Sequence, residues 1–90
     1  MMEKQDILKE IREIERRLST RRDAASYWMR AIDLAKHNIK TFVSDPYEDT
    51  TIGTYIADLE EARFCYKSTC EDIHTMKKER NELQKRQSQL

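Results

Sequence analysis

The chain has 90 residues, 38% of them charged, with 17 basic and 17 acidic side chains that cancel to zero net charge, and a mean hydropathy of −0.93. A chain of this length makes at most one small domain and buries only about 60–65% of its unfolded surface. One Gly and one Pro argue against a turn-rich β architecture, and zero net charge removes any global field drawing it to nucleic acid or membrane.

The opening MMEKQDILKE has no apolar h-region, and no run approaches the roughly 18 apolar residues of a spanning helix. With no evident tail or linker, the chain reads as a whole gene product, soluble and cytoplasmic.

From Ile7 onward, apolar residues recur at alternating spacings of four and three: Ile7, Ile11, Ile14, Leu18, then Arg21, Ala25, Trp28, Ile32, Ala35, Ile39 and Phe42. Ten of these eleven positions are apolar and the register never slips, which predicts a first helix over about residues 3–43. Arg21 is the exception; its stem can lie over the seam while its head reaches water.

The segment SDPYEDTT predicts a turn over about 44–50. Asp45 precedes Pro46 and is disfavoured in the α region. Asp45, Pro46 and Glu48 have capping-box spacing, and Thr50 or Thr51 is a second candidate N-cap. The only glycine, Gly53, marks a loosened first turn of the next helix.

A second stripe predicts a helix over about 51–88: Ile52, Tyr55, Leu59, Ala62, Tyr66, Thr69, Ile73, Met76, Arg80, Leu83, Gln87 and Leu90. Two such stripes joined by a short linker predict an all-α fold, an antiparallel two-helix hairpin of roughly 60 Å, with pairing of two copies into a four-helix bundle as an extension.

Facing positions whose numbers sum to 94 set Trp28 over Tyr66, Ala25 over Thr69 and Ile32 over Ala62, alternating large with small. That register also brings Glu10 near Arg86, Arg17 near Glu79 and Glu15 near Lys77. A one-heptad shift, to a sum of 87, sets Glu10 against Glu79 instead.

A narrow hairpin core calls for reinforcement. Beside the main seam, Ala24, Tyr27, Ala31 and Leu34 repeat at 3–4–3 spacing, and with Cys65 they form a partly apolar patch that Phe64 extends. Tyr27, Ala31, Leu34, Phe64 and Cys65 are therefore the expected partner-binding residues, for a protein partner or for a second copy in a homodimer. Covering of the patch by an irregular third segment or by helix curvature is the plainer reading of the same residues.

Charge is also sorted along the rod. Residues 1–22 hold seven basic and five acidic groups and residues 74–90 five and two, so the open end carries +5 and the remainder −5. This dipole can steer a partner or favour antiparallel pairing of rods.

Arg12, Arg16, Arg17, Arg21 and Arg22 are the expected residues of a rival reading, a nucleic-acid or nucleotide-phosphate binder. Against it, Glu10, Glu13 and Glu15 are interleaved, the helical wheel spreads the arginines around the rod, and no aromatic lies among them to stack bases. A solvated face of intramolecular ion pairs accounts better for them.

Cys65 and Cys70 lie five residues apart, about 140° around a helix, so they are expected as free thiols in a reducing compartment rather than a bridge. Glu71 and His74 have the ExxH spacing of di-iron bundles but fall on the outward face, and Cys70 with His74 offers two ligands where structural zinc takes four. No catalytic residue, metal site or cofactor is therefore expected.

The expectation is a non-enzymatic interaction module: an adaptor, assembly factor or inhibitor. Small free-standing helical regulators include virus-encoded inhibitors of host enzymes, a class-level association that no motif here carries.

Overall fold

The computed structural model describes residues 4–42 and 51–89. They form two α-helices, α1 (Lys4–Thr41) and α2 (Ile52–Gln89), packed against each other along their length in an all-α hairpin, with no strand among the described residues. The long axis is 68 Å and the cross-section 16 × 14 Å. Each helix has 38 residues, about 57 Å of α-helix, so the rod is one hairpin long. The expected capping box around Asp45, Pro46 and Glu48 lies outside the described residues.

Both helices are built from strong helix formers with no internal proline. Asp6 in the first turn of α1 and Lys40 in its last oppose the helix dipole with the right signs. Thr51 stands immediately before α2; its carbonyl accepts from the Thr54 amide at 3.1 Å and its hydroxyl lies 3.4 Å from that of Thr54. It therefore occupies the N-cap position expected of Thr50 or Thr51. Residues with hydroxyls inside the helices fold them back on the preceding turn: Thr41 donates to the His37 carbonyl at 2.8 Å and Thr69 to that of Cys65 at 2.8 Å.

The pairs that cross the interface fix the register. Arg21 lies against Asp72 and the rings of Phe42 and Tyr55 meet at 6.0 Å. Their numbers sum to 93 and 97, bracketing the expected 94 and excluding 87. The core is lopsided, however. The seam of α1 supplies Ile7, Ile11, Ile14, Leu18, Ile32 and Ala35 as buried residues, whereas α2 supplies Ala62, Thr69 and Leu83. Ile7, Ile11, Ile14, Leu18 and Leu83 make one cluster at the open end, with Ile73 and Met76 packed against it. Two helices can cover each other on one side only, so the strongest burial falls where both arms are aliphatic.

The expected aromatic contact differs. Trp28 does not stack on Tyr66; its ring meets that of Tyr27, edge-on at 4.9 Å. Tyr66 interacts with Cys70, and hydrogen bonding to that thiol raises the phenol above its usual pKa. The three charge pairs expected between the helices also do not close. Glu13 takes both nearby arginines instead, Arg16 at 2.6 Å and Arg17 at 3.4 Å. A partner one turn away on the same helix is always within reach, whereas a cross-helix partner requires extended rotamers from both sides.

Candidate functional site

Two grooves run along one side of the hairpin. The first, at the open end, has a volume of about 380 Å³ and lies between Glu10, Glu13, Ile14 and Arg17 of α1 and Glu79, Glu82, Leu83 and Arg86 of α2. The second, at mid-rod, has a volume of about 210 Å³. On α1 its lining repeats the first groove 21 residues further on, as Ala31, Leu34, Ala35 and Asn38. On α2 it repeats 21 residues earlier, as Asp58, Glu61 and Ala62, and Trp28 completes it. In a heptad-packed rod, residues separated by multiples of seven keep the same side, so this is one groove whose contents change. Charged side chains dominate its lining at the open end; at the middle the α1 side is mostly small or apolar.

The expected partner-binding residues distribute around this mid-rod groove. Ala31 and Leu34 line it. Tyr27 lies seven residues before Leu34, on the same side, packed edge-on against Trp28. Cys65 shares the wheel position of Asp58, seven residues on, and is half-buried with a free thiol. Phe64 projects at the outer flank of α2, one turn beyond Glu61. Tyr27, Leu34 and Phe64 are 60%, 61% and 74% exposed, high values for large apolar side chains concentrated at one level of a rod. Met29 is 41% exposed but lies on the opposite side of α1, outside this group.

The groove also contains Asp58 and Glu61, which the apolar spacing did not single out. Both are exposed, and among the described residues neither has an ion-pair partner. Sorting charges by heptad position reveals them in the sequence. The side that carries both grooves holds eight carboxylates and two guanidiniums, those of Arg17 and Arg86, a net charge of −6 among the described residues. The same positions on the opposite side hold seven basic and three acidic groups, net +4.

The five arginines do not share a face. Arg16 and Arg17 are engaged by Glu13, whose carboxyl is held below its ordinary pKa chiefly by the hydrogen bond from Arg16. Arg21 is paired with Asp72 at 3.8 Å. Arg12 and Arg22 stand on the side opposite the groove.

Cys70, Glu71 and His74 line a shallow, open depression with Lys67 and Thr75 on α2 alone. Among the described residues no three His, Cys, Asp or Glu side chains come together as a metal-holding group, and no described helix is long and apolar enough to cross a membrane.

These features define the class: an all-α helical hairpin with a partly apolar groove at mid-rod. No family model, curated protein or solved structure matches the chain significantly.

Proposed function

We propose that the protein is a non-enzymatic interaction module, an adaptor, assembly factor or inhibitor, that docks another protein on the mid-rod groove. One observation carries this reading: Tyr27, Leu34 and Phe64 stand mostly exposed at the level of a groove whose lining includes Ala31, Leu34, Ala35 and Ala62. Small residues let a helix approach closely, and large flanking ones give it anchors. Exposing such a cluster is unfavourable for a free monomer and is offset when a partner covers it.

Leu34→Glu places a charge at the centre of the groove without touching the aliphatic cluster at the open end. It is expected to abolish capture of the partner from the native host while leaving the helical circular dichroism unchanged. Capture equal to that of the parent protein overturns the assignment. The rival phosphate-binding reading is weakened by the carboxylates already bound to Arg16, Arg17 and Arg21. It requires affinity that falls steeply with salt and with Arg16→Ala and Arg22→Ala.

A further inference from the structure

The charge on the groove side narrows the identity of the occupant, an inference that rests on the docking reading above. Asp58 and Glu61 form the α2 wall of the mid-rod groove and no basic residue lines it. The carboxylates continue along the same side toward the open end, to the net −6 described above. A second copy packed on this groove by a two-fold axis brings the surface against itself, setting Asp58 and Glu61 of one copy near those of the other. Nucleic acid is repelled for the same reason.

We propose that the occupant is a basic amphipathic helix of a partner protein. Its apolar stripe sits on Trp28, Ala31 and Leu34, and its lysines or arginines reach Asp58 and Glu61. The groove is lined by residues of both α1 and α2. Its apolar floor supplies the contact area and its acidic wall supplies orientation and selection against acidic helices.

The probes are two synthetic helical peptides of about 20 residues, some 30 Å long, with the same Leu/Ala stripe and either lysine or glutamate at the polar positions. Binding of each to the full chain is read by fluorescence anisotropy at about 20 mM and about 200 mM salt, concentrations that span strong and weak screening. The lysine peptide is expected to bind at least about tenfold tighter at low salt, with the advantage shrinking at high salt. The double variant Asp58→Lys, Glu61→Lys is expected to reverse the preference, and Leu34→Ser to weaken the lysine peptide without altering its salt dependence.

Equal binding of the two peptides, or no binding of the lysine peptide at low salt, overturns the basic-helix inference and leaves the docking reading to the capture experiment. A charge preference that survives with Leu34→Ser fully active overturns the docking reading itself. Sedimentation showing a dimer that Leu34→Ser converts to a monomer makes a second copy the occupant and overturns the inference.

Discussion

Arg21 of α1 and Asp72 of α2 form the one ion pair that joins the two helices among the described residues, Nε to Oδ2 at 3.8 Å, with both side chains about half exposed. Arg21 occupies a seam position where the stripe otherwise places an apolar residue. Its head meets a carboxylate of the facing helix. A half-exposed pair at this distance contributes little to stability and more to alignment. A double-mutant cycle with Arg21→Ala and Asp72→Ala is expected to give a coupling of about 0.2–1 kcal/mol, diminishing with salt. A coupling above about 2 kcal/mol would show that the pair holds the arms together.

The aliphatic cluster carries far more. Leu18 is 1% exposed, the most deeply buried large side chain among the described residues, and packs among Ile11, Ile14 and Leu83. Leu18→Ala is expected to destabilise by about 2–4 kcal/mol in chemical denaturation, a large share of the stability of so small a domain. A change below 1 kcal/mol places the folding core elsewhere.

Arg80 occupies a seam position on α2, and its Nε is buried with no hydrogen-bond partner among the described residues. An unsatisfied buried donor costs about 1–3 kcal/mol. Arg80→Met keeps the stem and removes the donor, so the midpoint of thermal unfolding should rise. A fall shows that the guanidinium makes a contact the static structure lacks.

Gly53 lies in the first turn of α2 with an ordinary backbone conformation, and an added Cβ meets only the Thr51 hydroxyl at 3.6 Å, normal van der Waals contact. Nothing in the folded chain requires glycine there. Gly53→Ala should stabilise by about 0.4–1 kcal/mol, chiefly by restricting the unfolded chain; destabilisation implies that the turn needs a freer first residue.

The Glu13 carboxyl is about half exposed, and its pKa is lowered first by the hydrogen bond from Arg16, against a smaller rise from burial, and then by the charges of Arg16 and Arg17. Its folded pKa lies below its unfolded one, so its contribution to stability is present above the unfolded value and is lost as pH falls through the folded value. Carbon-detected NMR titration should place Glu13 below the ordinary glutamate range, and Arg16→Gln should return it most of the way. An unchanged titration in that variant assigns the shift to Arg17.

The hairpin was legible because its determinants are local and repetitive. The 3–4 stripes from Ile7 to Phe42 and from Ile52 onward report helical periodicity directly, and a single proline between two rods of equal length makes folding back the natural solution. The patch of Tyr27, Ala31 and Leu34 was legible for the same reason, since spacing alone sets those residues beside the seam. Residues with small or branched apolar side chains, such as Ile11 or Ala62, have few ways to be placed once the backbone is.

What only the tertiary structure decided concerns long side chains with several partners in reach. Glu13 chose Arg16 and Arg17 over a partner on the other helix, Trp28 turned toward Tyr27 and the groove, and Tyr66 turned to Cys70. Each is a choice among rotamers that differ by little energy, settled by which atoms the packed helices bring near. The joining of Asp58 and Glu61 with Ala31 and Leu34 into one groove has the same origin. Periodicity assigns a residue to a side of its own helix, but only the packing of α1 against α2 determines which two sides become one surface.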